Sequence, residues 1–226
     1  MSVLGRAALA MWWDMAPERL DDFQHWHAHE HFPERLGIPG FLRASRWTSA
    51  DGGEGIFVMY ELRDHAVLSS APYLERLNAP TPWSARLMPH HRHMVRSQCH
   101  VLESRGAAVA RHALTIRVSP APGQDARLRG AIGVMAGEAV AAPGIVGMHL
   151  LRHEAPPIEA TREQKIRGGD AVADWVLVVV AYDPAALAAL AGSQLSPEGL
   201  VSQGAAPGAQ HGTYTLAQSA TPSDMA

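Results

Sequence analysis

Cysteine is nearly absent. The chain has 226 residues, and Cys99 is its one cysteine. No disulfide can form within one chain, and no cysteine-based zinc site can be assembled. The scarcity fits a reducing cytoplasm. Positive charge is also short: 19 Lys and Arg stand against 22 Asp and Glu, a formal net charge of -3. That removes the electrostatic case for a nucleic-acid partner. Long hydrophobic runs are missing. The N-terminal run MSVLGRAALAMWW meets Asp14 early, too short for a signal peptide, and reads as a strand. The run from Trp175 to Tyr182 stops at Asp183-Pro184, far short of the roughly 20 residues that span a bilayer. No G-x-S-x-G, Walker-type loop or G-x-G-x-x-G occurs, so the motif-based hydrolase and nucleotide readings lack support. No heptad or basic amphipathic helix points to a membrane or a coiled-coil partner. The expectation is a soluble cytoplasmic protein that binds neither nucleic acid nor membrane.

Histidine is what stands out. There are 13, nine of them before residue 101. The rest of the composition, 47% hydrophobic and 18% charged, is ordinary for a globular chain. An internal order also repeats. A run ending at Ala16-Pro17 matches one ending at Ser119-Pro120. Ile38-Pro39-Gly40-Phe41 and Ala142-Pro143-Gly144-Ile145 each precede a strand-like run. Gly55 to Leu62 and Trp175 to Tyr182 are strands followed by helical runs, and Cys99–Ser104 and Thr213–Ser219 close the two halves. Pro-Gly pairs are turn chemistry, and β-branched and aromatic residues fill the strands. Each half therefore reads as βαββαβ, the ferredoxin-like unit, with residues 1–106 and 107–226 as the two domains. One such sheet has a bare apolar face that needs a cover. The expected α+β fold is two tandem units packed sheet to sheet as an intrachain dimeric α/β barrel. The stretch 154–174 reads as a long mobile loop.

The first half resembles the dimeric α/β-barrel superfamily, and within it the EthD-like proteins. The carriers are FQHWHAHEHFPERLGIPGFLRASRW and YLERLNAPTPWSARLMPH. The resemblance covers most of residues 3–104; the second half shares only the order of elements. It implies a pocket between sheet and helices. It implies little about the reaction, because the superfamily holds cofactor-free mono-oxygenases, cyclases, decarboxylases, isomerases and haem-degrading enzymes.

Helical periodicity sorts the histidines of the stretch HWHAHEH. With Leu20, Phe23 and Trp26 marking the buried stripe of a helix from Pro17 to about Glu34, His27, Glu30 and His31 face the sheet, while His25 and His29 face solvent. His27 to His31 spells H-x-x-E-H, a spacing that can hold zinc, but no third ligand announces itself. The expected metal set is none, with haem or a divalent metal on His27 or His31 as the alternative. Pro33 disfavours helical angles at Phe32 and threatens to end the helix early. His90, His91 and His93 in MPHHRHMVR are expected on the surface.

Five of six tryptophans lie in the first half; they either wall a pocket or fill a larger core. If they wall a pocket, it belongs to the first half, and the second half is a degenerate packing partner. The expected catalytic residues are His31, His27 and Glu30, an imidazole moving a proton and a carboxylate (Glu30 or Glu34) orienting it. The expected substrate-binding residues are Trp26, Arg43, Trp47, Tyr60 and Trp83. Arg43 or Tyr60 would stabilise an enolate or phenolate, and Trp83 would be a lid. The expected partner is a small apolar or aromatic molecule, with a homo-oligomer possible. A binding module without catalysis is the remaining reading.

Overall fold

A computed structural model describes residues 3–225. The first unit runs β1 (Ala7–Met15), α1 (Leu20–Trp26), a wide helical turn (His27–His31), α2 (Phe32–Leu36), β2 (Phe41–Ser49), β3 (Gly55–Leu62), α3 (Ala71–Asn78), α4 (Pro82–Leu87) and β4 (His91–Gly106). The second runs β5 (His112–Val118), α5 (Asp125–Ala141), β6 (Ile145–His153), α6 (Arg162–Arg167), β7 (Trp175–Ala181), α7 (Pro184–Ala191), α8 (Pro197–Ser202) and β8 (Gln210–Ala220). The strands close into an antiparallel barrel in the order β1-β3-β2-β8-β5-β7-β6-β4. Each unit contributes the same order, β4-β1-β3-β2 and β8-β5-β7-β6. The pairings β2–β8 and β4–β6 join them and leave no open edge.

Alternation along each strand splits the core into three layers. Ala8, Ala10 and Trp12 of β1 join Val176, Val178 and Val180 of β7 in a cluster that mixes both units, the barrel interior. Leu9, Trp13 and Met15 pack instead with Phe23 and Trp26 beneath the first helix layer. Leu177 and Val179 pack with Leu128 and Ile132 beneath the second. Inside the barrel Phe57 is stacked between Trp12 and Trp47, with centroids at 5.1 and 5.2 Å. Trp12 Nε1 donates to Thr115 Oγ1 of the other unit at 3.1 Å. Both Pro-Gly turns are present, with Gly40 at φ +101° and Gly144 at φ +96°, angles that favour glycine. A Cβ at Gly40 would sit 2.4 Å from Val67.

Three elements differ from expectation. The first helix does not end at Pro33. Phe32 keeps helical angles and its N–H donates to the His27 carbonyl, five residues back. A regular turn would aim the missing N–H of Pro33 at the His29 carbonyl and crowd that oxygen against the ring; the wider turn relieves this and carries the helix on to Leu36. Strand β4 starts at His91, not near Cys99, so the histidine-rich stretch belongs to the sheet. The stretch 154–174 is organised around α6. Thr161 and Gln164 form a capping box, and Gly168 ends the helix at φ +82°. Ala171 then pairs with β4, donating to the Met94 carbonyl and accepting from the Arg96 N–H. The β6–β7 connection of the second unit thus docks on the first.

Because the interior cluster is shared, the two units should unfold together. Trp47 is fully buried, and Trp47→Ala should cost about 3–5 kcal/mol. Urea unfolding followed by circular dichroism should remain a single transition, shifted to lower midpoint. Two separated transitions would contradict the shared core.

Candidate functional site

Beneath the first helix layer lies a nearly closed cavity. Its floor is the outer face of β1, β3 and β4, through Leu9, Trp13, Tyr60, His91 and Arg96. Its roof is Trp26, His27, His31 and Arg35 of the first helix with Tyr73 of α3, and Glu163 and Arg167 of α6 close one side. The space amounts to about 20 Å3 for the centres of water-sized molecules, room for one or two waters.

Three imidazoles meet there. His27 is 1%, His31 8% and His91 9% exposed, whereas His25 and His29 are open to solvent. His27 and His31 are one wide turn apart, with ring centroids at 5.3 Å. His31 lies against Trp26 at 4.4 Å, and His91 stacks on Trp13 at 5.0 Å. Burial pushes all three below the ordinary histidine range. Around His27 the positive charge of Arg46 adds to it, around His31 that of Arg35. His91 is pushed to about 3, with Arg167 adding to burial. All three are neutral at pH 7. The Nδ1 atoms of His27 and His31 and both ring nitrogens of His91 are buried without a hydrogen-bond partner, as is the Tyr60 hydroxyl, which burial keeps protonated.

His149 shows the alternative. It is also buried, yet Nδ1 pairs with Ser104 Oγ at 2.9 Å and Nε2 with the Ala107 carbonyl at 3.0 Å. Buried polar atoms that serve a fold are normally partnered, as both nitrogens of His149 are. Each of the three rings in the cavity has at least one that is not.

The cations beside them are sorted by partner. Arg35 donates to Glu163 at 2.5 Å and to Glu34 at 3.2 Å. Burial opposes its charge, and those two carboxylates more than offset this. Burial pushes the Glu34 carboxyl up, Arg35 opposes that and the Glu163 charge adds to it. Arg167 binds Asp170 through two bonds of 3.0 and 2.8 Å. Arg96, also buried, donates to Tyr73 Oη at 2.7 Å and has no carboxylate within ion-pair distance among the described residues. No group of three or more His, Cys, Asp or Glu among the described residues is arranged to hold a metal ion.

Of the residues expected from sequence, His27, His31, Trp26 and Tyr60 line this cavity. The others do not. Glu30 accepts from Trp26 Nε1 at 2.9 Å and Thr81 Oγ1 at 2.5 Å, so it fixes the indole and the start of α4 and does not orient an imidazole. Glu34 lies 3.9 Å from His31 Nδ1. Arg43 binds the buried Glu61 through bonds of 2.6 and 2.8 Å, away from the cavity. Trp47 is in the barrel interior. A bulge between Phe41 and Arg43 switches the faces of β2, so that Phe41 and Trp47 end on opposite sides. Trp83 lies outside, donating to Asp22 at 2.9 Å and packing on His25. His91, expected on the surface, is buried; His93 is exposed and paired with Asp14 at 2.8 Å. The φ of +52° at His93 and the register shift of β4 against β1 break the alternation that would have kept them on one face. Arg96 and the α6 residues were missed because their approach depends on strand pairing and on a connection from the other unit.

No family model matches the chain, and no curated protein sequence does. Solved structures do resemble it. An anthrone oxidase-like protein superposes with a TM-score of 0.66 at 12% identity, over 98% of this chain and 96% of that one. A candidate monooxygenase from Fusobacterium nucleatum subsp. nucleatum gives 0.63 at 9%, over 96% and 95%. Another from Lactobacillus acidophilus gives 0.60 at 12%, over 96% and 97%. At such identities the likeness establishes the fold. It is the ferredoxin-like dimeric α/β barrel, closed here within one chain. No helix among the described residues is long and apolar enough to cross a membrane.

The neutral imidazoles set a pH dependence of stability. Each has a folded pKa below its unfolded value, so unfolding takes up protons as pH falls below about 6.5. Stability is full above that pH and declines beneath it, by roughly 1.4 kcal/mol per pH unit for each group. Urea titrations between pH 7.5 and 5 should show this. In His91→Phe, which keeps a ring on Trp13, unfolding should take up about one proton fewer. A slope equal to that of the unsubstituted chain would show that His91 is charged when folded.

Proposed function

We propose that the chain is a cofactor-independent enzyme that moves a proton on an aromatic or polyketide-like small molecule presented to the histidine cavity. The observation that carries this is the set of buried imidazoles with unengaged nitrogens, set against the fully engaged His149. A neutral imidazole, His31 or His27, accepts a proton from an acidic C–H or phenol. The hydroxyl of Tyr60 and the guanidinium of Arg96 donate to the oxygen on which charge develops. The negative charge forming beside the ring favours the imidazolium, which offsets the low basicity that burial imposes. Trp26 and Trp13 supply apolar wall.

Oxygenation is the class we favour. A CH2 between aromatic rings loses a proton to the imidazole, and the carbanion is oxidised by dioxygen. Overall CH2 and O2 give C=O and water, with substrate as reductant and dioxygen as oxidant. A cavity of water size suits a molecule as small as dioxygen, and an anthrone oxidase-like protein and monooxygenase candidates are among the proteins that share this fold. We further read the chain as a tandem EthD-like pair in the reducing cytoplasm. Residues 1–106 carry the chemistry; residues 107–226 pack against them and supply α6.

Anthrone is a direct probe. Oxygen uptake should accompany conversion of its CH2 to C=O, seen by mass spectrometry. Replacing both His27 and His31 with Ala should lower kcat/KM by about 10²–10⁴ with the circular dichroism spectrum retained. Because the working imidazole is already neutral, activity should persist at pH 6, where an ordinary histidine is largely protonated. A double variant as fast as the unsubstituted enzyme would overturn the assignment.

A further inference from the structure

A second space adjoins the closed cavity. It is an open cleft of about 570 Å3 at one mouth of the barrel, where β1, β4, β5 and β8 end or begin. Its walls include Trp12, Trp13 and Tyr214, with Asp14, His91 and Arg117. The size is that of a small-molecule site, whereas the closed cavity is far too small for an aromatic ring system. Trp13, His91 and Arg167 line both spaces, so one wall separates them.

The polar groups of the cleft favour one kind of ligand. Arg117 lies over the Trp12 ring, its guanidinium carbon 5.5 Å from the centroid. It makes no hydrogen bond or ion pair with any described residue. The acid in the wall, Asp14, is engaged by His93. Trp13 Nε1 and both nitrogens of His91 are buried and unpartnered, on residues no more than 9% exposed. Indole and guanidinium only donate, and a neutral imidazole adds one donor and one acceptor. The wall is therefore mixed: aromatic rings beside polar groups, with a cation, Arg117, whose side chain forms no hydrogen bond and whose charge Asp14 also favours. Such a wall suits a flat ring system bearing an anionic oxygen.

We propose that this cleft is a binding site for a planar aromatic anion, a phenolate or carboxylate on fused rings, held by Arg117 and by the Trp13–His91 wall. The site deepens the function proposed above and rests on it for one step: the ring system stays in the cleft with its reacting carbon against His91, which lines both spaces and passes the proton on to the histidine cavity. Binding itself does not depend on that step.

Calorimetry on the full chain with 1-hydroxy-2-naphthoate tests the site, with 2-naphthol as the uncharged comparison. One naphthoate should bind per chain. Arg117→Gln should weaken it by about tenfold or more while changing 2-naphthol by about twofold or less, and Arg117→Lys should recover most of the loss. Gln210→Glu, an exposed change on the cleft wall, should also weaken the naphthoate by adding like charge. Absence of saturable binding, or naphthoate affinity indifferent to both Arg117→Gln and Gln210→Glu, overturns the proposal. Naphthoate binding that depends on Arg117, in a protein with no anthrone turnover, upholds the cleft and rejects the catalytic reading. Anthrone turnover in a protein that shows no saturable naphthoate binding upholds the catalytic reading and rejects the cleft.

Discussion

A four-stranded sheet with helices on one face leaves an apolar face that water cannot be allowed to reach. Everything else in this protein follows from how that face is covered. Two units of the same strand order turn their bare faces together, and β2–β8 and β4–β6 pairing seals the seams. The Trp12–Phe57–Trp47 stack and the Trp12 bond to Thr115 fill the space between. Because both units share one interior, the second is a structural requirement of the first.

Closure also decides what the outer faces can do. The pairing of β4 with β6 brings the β6–β7 connection over the first helix layer, where α6 meets Arg35 through Glu163. An ion pair this deeply buried adds little net stability by itself, but breaking it leaves an uncompensated charge. It fixes α6 in place at the side of the cavity. The acidic and basic groups alternate from Glu34 through Arg35, Glu163 and Arg167 to Asp170. That order pairs the two guanidinium groups, while burial, with the positive charge of Arg35 and Arg167 adding to it, leaves His31 and His91 uncharged.

The histidines carry the cost of the site. Polar nitrogens removed from water without a partner are unfavourable, each by about 1–3 kcal/mol, and three such rings sit together. The wide turn at His27–His31 holds two of them side by side and lets the helix pass Pro33. The bulge at His93 turns the third inward. Such departures from regular geometry are where a fold gives up stability for a site.

The sequence by itself determined much of this. Hydrophobic alternation and the two Pro-Gly turns specify two βαββαβ units, because strand and helix periods are local properties of the chain. The same periodicity, with Leu20, Phe23 and Trp26 as markers, separates His27 and His31 from His25 and His29. What tertiary structure alone decided is which residues gather at the cavity. A single bulge reverses the face of every residue beyond it, which sent Trp47 to the barrel interior and His91 to the cavity. Trp26 and Glu30 are helical neighbours four residues apart, but nothing local showed that Thr81 and Ser84 would meet the same carboxylate. Glu163 and Arg167 lie more than a hundred residues along the chain from Arg35, and only barrel closure brings them beside it. Local pattern sets which way a side chain points; register and long-range pairing set what it meets there.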